Sequence, residues 1–193
     1  LLRRSLSRDG VLAVKREVFT REASTTAFEV SFRTLLGADE HFIKFASPTD
    51  LMIFLASQPD ELFRLPPRRF EEILAELLSD VGYSVELTKQ TRDDGIDIVA
   101  IGRSTALGLD ERYLVQCKRN APDNHIGVSV VRELLGVGIH EPNTGLIIAT
   151  TSVFTGPARK MAAIDTIRWR LHLRDYDDVI AWLRRYASKR AST

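Results

Sequence analysis

Two neighbouring apolar segments, each carrying polar side chains where a core has no use for them, constrain this chain more than any other feature. The first, Ile96 to Ile101, has Asp97 near its start; the second, Tyr113 to Cys117, holds Gln116 and runs on into Lys118. Side chains alternate along a strand, so Gln116 and Lys118 share a face with Leu114 and oppose Tyr113, Val115 and Cys117. If the segments pair as adjacent strands, one carboxylate, one amide and one ammonium converge on a point. A buried charge must be paired or it is costly. A divalent cation and a phosphate together account for all three groups.

The surrounding pattern is that of a layered α/β domain. Phe70, Ile73, Leu74, Leu77, Leu78 and Val81 recur at helical spacing from Pro67 to a stop near Gly82. Tyr83 to Leu87 alternates as a strand, and with the two segments above predicts a three-strand meander. A helix over Gly127 to Ile139 follows, with Val128, Val131, Leu134, Leu135 and Ile139 on one side. The apolar run Thr144 to Thr150 reads as a strand covered on both faces. Thr155 caps a further helix, Arg168 to Leu173 alternates as a strand, and Asp175 opens a last helix with Tyr176, Val179, Ile180 and Leu183 inward. The order αβββαβαβα calls for a central mixed sheet with helices around it.

Before Pro67 the reading is a small α+β region. VLAVKREVF, TAFEVSFRTLL and HFIKFA show strand-like alternation, and SPTDLMIFLASQPDELFRL is helical, with Ser47 as N-cap and Pro48 at the first helical position. Pro59 and the Leu65-Pro66-Pro67 step mark a boundary. The expected organisation is a small N-terminal accessory region over residues 1–64, a main domain over 65–188 and a tail over 189–193.

Composition excludes several classes. A net charge of +1 over 193 residues advertises no global field for nucleic acid, so only local clusters such as Arg68-Arg69 and Lys118-Arg119 bear on it. The single cysteine, Cys117, rules out a disulfide within the chain and a cysteine-rich zinc site. No apolar run is long enough to span a bilayer, and the opening LLRRSLSRDG has no signal-peptide core. The expectation is a cytoplasmic protein.

Phosphodiester hydrolysis needs a hard cation to polarise the phosphoryl oxygen and acidify a bound water. Mg²⁺ takes one or two carboxylates with waters and substrate phosphate. Asp97 is the candidate carboxylate. Gln116 and the backbone carbonyl of Cys117 are candidate neutral ligands, and Glu71 completes the shell directly or through water. Lys118 holds the attacking water or neutralises charge developing on the phosphate.

Taken together, Phe70-Glu71-Glu72, Gly82-Tyr83, Asp94-Gly95-Ile96-Asp97 and Gln116-Cys117-Lys118-Arg119 resemble the Mrr-type restriction endonucleases of the PD-(D/E)XK group. Val128 to Leu134, Thr150-Thr151-Ser152 with Phe154-Thr155, and Leu171 to Leu183 extend the likeness over roughly residues 67–183. The resemblance implies a restriction-endonuclease-like α/β/α sandwich and a Mg²⁺-dependent deoxyribonuclease serving restriction or defence, with Mn²⁺ able to substitute. It maps the family's site onto Asp97, Gln116, Lys118 and Glu71. Two departures from the wider group stand out. Gln116 replaces the second acidic ligand, as in the Mrr subfamily, and Asp94 adds a carboxylate to the turn.

Double-stranded DNA is the implied partner. Cutting both strands calls for a homodimer, and residues 1–60 offer a place for a partner protein. Arg119, Lys89 and Arg92 are candidate phosphate contacts. Two rivals share the fold: a non-catalytic DNA-binding or assembly module, and a repair or branched-DNA nuclease. Glu72 reads as a surface neighbour of Glu71, His41, His125 and His140 as strand-edge, loop and helix-end residues, and Cys117 as a core side chain rather than a nucleophile. Ser152 and Thr155 read as helix-capping residues before phosphate ligands.

Overall fold

The computed structural model describes residues 28–33, 40–88, 95–104 and 109–191. A five-stranded mixed sheet organises most of them. Its strands are β3 (Ser84–Leu87), β4 (Ile98–Ser104), β5 (Leu109–Lys118), β6 (Gly145–Thr150) and β7 (Leu171–Arg174), and their order in the sheet is the order in the chain. β3, β4 and β5 form the expected antiparallel meander, while β6 and β7 add in parallel. Parallel neighbours need crossovers, which α3 (Val128–Gly138) and α4 (Gly156–Ala162) supply. A separate two-stranded antiparallel sheet pairs β1 (Phe28–Arg33) with β2 (Glu40–Phe45). The stretch VLAVKREVF lies outside the described residues.

Two cores sandwich the large sheet. One face carries Ile98, Ala100, Val115, Ile147 and Ala149 against α2 (Pro67–Asp80) and α5 (Tyr176–Ala191). The other carries Leu114, Leu146 and Ile148 against Val131 and Leu134 of α3 and Ala158 of α4. Val115 and Leu114 therefore do face opposite layers. α1 (Pro48–Ser57) joins the first core through Leu51, Met52 and Leu55, so the region before Pro67 packs on the same layer as α2 and α5.

Local chemistry explains the element ends. Ser47 Oγ accepts the Asp50 N–H at 3.2 Å, an N-cap with Pro48 next to it. The helix expected to continue through Pro59 instead stops at Ser57, and a 3-10 turn covers Pro59–Arg64. Proline withholds an N–H and disfavours helix in the residue before it. α2 starts at Pro67 and closes into Gly82 at φ +103°, a conformation natural to glycine. Asp175 and Asp178 cap α5 reciprocally, each carboxylate accepting the other's N–H.

Two expectations of side-chain position and one strand boundary need correction. Val81 and Ile139 continue their helical stripes in sequence, yet they lie just past the last helical turn and are 57% and 73% exposed. The strand expected from Arg168 begins only at Leu171. Arg168 and Arg170 donate backward to Ile164 and Ile167 in tight turns, and pairing with β6 starts at Leu146 opposite Leu171.

Candidate active site

The carboxyl end of β5 lies beside the entry to β4, and Asp97 sits at that junction. In a regular antiparallel pair a residue exchanges both of its backbone bonds with one neighbour. Asp97 does not. Its N–H donates to Val115 O of β5 at 2.9 Å, while its C=O accepts the N–H of Thr88, just past β3, at 2.9 Å. The strand turns about its axis at this residue, the kind of local irregularity that re-aims a side chain. Asp97 Oδ2 then accepts the backbone N–H of Cys117 at 2.6 Å, a charge-assisted bond across to β5. Thr88 Oγ1 also donates to the carbonyls of Ile96 and Asp97, which pins the approach to the site.

Gln116 lies on the face of β5 expected from alternation. It is 3% exposed, and among the described residues its Oε1 is buried with no hydrogen-bond partner. Its amide nitrogen packs against Gly95. A Cβ added at Gly95 would lie 3.0 Å from Gln116 Nε2, and Gly95 has φ +64°. The Gly95 of the Gly-Ile-Asp step thus meets both a left-handed turn and a close approach that only glycine tolerates.

Glu71 enters from α2 and is 8% exposed. Arg68, one helical turn earlier, donates through Nη1 to Glu71 Oε2 at 2.8 Å and to Thr88 O at 3.1 Å. Thr88 O is the acceptor that a regular ladder would give to the Asp97 N–H, so Arg68 fills the vacancy left by the kink. Sequence reasoning noted Arg68 only as part of a basic cluster; its spacing of three from Glu71 was the available signal. Glu72 pairs outward with Arg69 at 2.6 Å.

Burial pushes the Asp97 carboxyl above its ordinary value, with the Cys117 N–H, Lys118 and Arg68 pulling it back in part. Burial likewise raises Glu71, which the Arg68 bond opposes and the nearby Asp97 charge reinforces. Two carboxyls in one electrostatic neighbourhood, each with its ionised form disfavoured by burial, are better satisfied by a cation than by each other. Burial, Asp97 and Glu71 hold the Cys117 thiol protonated, so it is no nucleophile.

Lys118 is half-buried at the end of β5, and its charge reaches Asp97. Its backbone is stitched down by the Thr150-Thr151-Ser152 segment. Lys118 O accepts Thr150 Oγ1 at 2.7 Å and the Thr151 N–H at 3.3 Å, while Thr151 Oγ1 donates to Asn120 O at 2.6 Å. Ser152 Oγ donates to Pro122 O at 3.1 Å, and Thr155 accepts the Ala158 N–H at the start of α4. Ser152 therefore anchors the loop after β5 rather than capping a helix. Arg119 donates to Phe63 O at 3.1 Å, tying the site strand to the 3-10 turn. Lys89, Arg92, Asp93 and Asp94 lie outside the described residues.

The donor set fits a hard divalent cation. Asp97, Glu71, the orphaned Gln116 oxygen and a backbone carbonyl are all oxygen ligands, the preference of Mg²⁺. Among the described residues no group of three or more His, Cys, Asp and Glu side chains is placed to hold a metal.

Comparison with known proteins gives the geometry its family. The restriction endonuclease model Mrr_cat matches residues 62–183, more than half of the chain. The chain belongs to the Mrr_cat restriction endonuclease family. It is a nuclease domain of restriction-endonuclease-like type, and the mixed sheet with helices on both faces is the expected architecture. Two solved structures share this fold. The DNA modification-dependent restriction endonuclease AspBHI is 20% identical with a TM-score of 0.55, covering 77% of this chain and 41% of that one. The MspJI restriction endonuclease, in complex with a 27-mer oligonucleotide, is 14% identical with a TM-score of 0.53, covering 76% and 34%. At these identities the likeness is one of fold. A Sinorhizobium fredii protein, y4cE, is 27% identical over 138 residues, 71% of this chain. The chain spans about a third of that relative's length.

Proposed function

We propose that this chain carries the catalytic domain of a Mg²⁺-dependent endonuclease acting on double-stranded DNA, used in restriction of or defence against foreign DNA. One observation carries the reading. Gln116 Oε1 is buried without a donor, on the strand whose Cys117 N–H holds the Asp97 carboxylate, and burial disfavours the ionised forms of Asp97 and Glu71. An acceptor left so costs about 1–3 kcal/mol, and a cation removes that cost for all three groups at once.

Asp97, Gln116, the Cys117 carbonyl and Glu71, directly or through water, would hold the ion. When bound, it supplies Lewis-acid polarisation of the phosphoryl oxygen and acidifies a water. The chain's own residues do the rest. Lys118, fixed at its backbone by Thr150 and Thr151, orients the attacking water and stabilises charge on the phosphate as one ester oxygen leaves. The Cys117 N–H holds Asp97 in place. Mn²⁺ meets the same oxygen donors and substitutes for Mg²⁺.

Cleavage of both strands requires two such sites, hence a homodimer. Residues 1–64 act as an accessory region for recognition, dimerisation or docking of a partner protein, beside a nuclease domain that begins at residue 65 and whose last helix runs on to Ala191. The protein works in the cytoplasm, where foreign DNA arrives. No helix among the described residues is long and apolar enough to cross a membrane.

The test is nuclease activity on supercoiled and linear duplex DNA with Mg²⁺, comparing the native chain with Asp97→Ala and Lys118→Ala. The expected result is cleavage by the native chain alone, abolished by EDTA. Cleavage that persists in both variants would sink the site assignment.

A further inference from the structure

We propose that Arg68 is a positioning residue of this site, which sets the Glu71 carboxylate for cation binding; the inference rests on the reading of a metal site above. Each of the two carboxylates has one oxygen engaged and one left over. Asp97 Oδ2 is held by the Cys117 N–H at 2.6 Å, and Glu71 Oε2 by Arg68 Nη1 at 2.8 Å. Among the described residues Glu71 Oε1 and Asp97 Oδ1 have no hydrogen-bond partner, and Gln116 Oε1 is buried without one. The Asp97 and Glu71 carboxylates lie in one electrostatic neighbourhood, and each has one oxygen fixed by a donor that sets its orientation. Carboxylates that ligate a metal are commonly held in this way by a second hydrogen bond.

The same guanidinium nitrogen also donates to Thr88 O at 3.1 Å. Thr88 donates its own N–H to Asp97 O at 2.9 Å, so one cation links the helix that bears Glu71 to the backbone that bears Asp97. Arginine suits the task, because its planar fork is pre-organised for several acceptors at once. Arg68 is not itself placed as a ligand or a reacting group. It acts through Glu71 and Thr88.

Electrostatics and positioning predict opposite outcomes, which makes the inference testable without DNA or turnover. Deleting a positive charge beside a cation site strengthens cation binding if charge is all that matters. Deleting a positioning group weakens it. The measurement is Mn²⁺ binding to the full chain by calorimetry and by electron paramagnetic resonance, for the native protein, Arg68→Ala, Arg68→Lys, Arg69→Ala and Asp97→Asn.

Positioning predicts a loss of affinity of about 10- to 100-fold in Arg68→Ala, the range for second-shell partners. Arg68→Lys, which keeps the charge but not the fork, falls between Arg68→Ala and the native chain. It also carries the test if the alanine variant does not fold. Arg69→Ala, which removes an equal charge one position on, stays near native affinity. Native-like or tighter binding in both Arg68 variants overturns the role of Arg68 while leaving the metal site standing. Absence of Mn²⁺ binding by the native chain, or native-strength binding by Asp97→Asn, overturns the site reading and the role of Arg68 with it.

Discussion

Asp97 Oδ2 accepts the backbone N–H of Cys117 at 2.6 Å, so the carboxylate is fixed by the strand that carries Gln116 and Lys118. This bond separates the two ways of removing the charge. Asp97→Ala orphans the Cys117 N–H, costing about 1–3 kcal/mol of stability in addition to any loss of function. Asp97→Asn keeps an acceptor. We expect Asp97→Asn to abolish cleavage while raising the thermal midpoint of the metal-free protein at neutral pH, because a buried carboxylate is replaced by a neutral amide. A lowered midpoint would show that the ionised form is stabilising after all.

The pH dependence follows from the same groups. Asp97 and Glu71 are raised in the folded chain, chiefly by burial, so the folded state holds their protons more tightly than the unfolded state does. Their ionisation therefore costs stability, and that cost disappears as pH falls below the raised values. The stability gap between Asp97→Asn and the native protein should close on acidification. Asp80 behaves in the opposite sense. Burial pushes its carboxyl up, but bonds from Arg190 and Lys189 outweigh this and hold it low, so its contribution persists at neutral pH and is lost only as pH falls through the lowered value. Thermal melts over a pH series, with Asp80→Asn alongside, measure both.

Gly95→Ala should damage the site from outside it. The left-handed backbone at φ +64° costs an alanine about 1–2 kcal/mol. The new methyl would also meet Gln116 Nε2 at 3.0 Å. The expected outcome is a modest drop in thermal midpoint with a larger loss of Mg²⁺-dependent cleavage. Full activity in a folded Gly95→Ala variant would mean that the position of Gln116 does not matter.

Gln116→Met keeps the volume and removes the orphaned oxygen. A stable protein that no longer gains thermal stability from Mg²⁺ is the expected result, since a ligand that binds only the folded state stabilises it by mass action. If the variant is stabilised by Mg²⁺ as much as the native chain, Gln116 is no part of the ion's shell.

Phe70→Ala tests packing alone. Phe70 is fully buried in the core between α2 and the sheet. Its truncation should cost about 3–5 kcal/mol in chemical denaturation.

The elements and their order were legible because each carries its own local signal. Alternation in Tyr113 to Cys117 and the apolar period of Phe70 to Leu78 are one-dimensional patterns, and Ser47 and Thr155 are caps that can be read three residues at a time. What escaped depends on neighbours. The stripe through Val81 and Ile139 runs on past the point where the helical hydrogen bonds stop, and only the tertiary fold decides that point. Alternation assumes a regular strand, so it missed the turn of the backbone at Asp97, which arises from competition between Thr88 and Val115 for one residue. Arg68 had a visible spacing from Glu71, but its bond to Thr88 joins segments twenty residues apart. No local pattern encodes such a pairing.

The division of Asp97 between two strands ties chemistry to the order of assembly. A chain in which only β4 and β5 have met brings Asp97 to the strand of Gln116 and Lys118, yet lacks both the Thr88 N–H bond to the Asp97 carbonyl and Glu71, which comes from α2. The Thr88 bond to Asp97 and the Arg68 link to Thr88 both need the chain after β3 in place. The full set of contacts around Asp97 is therefore a property of the finished sheet rather than of any two of its strands.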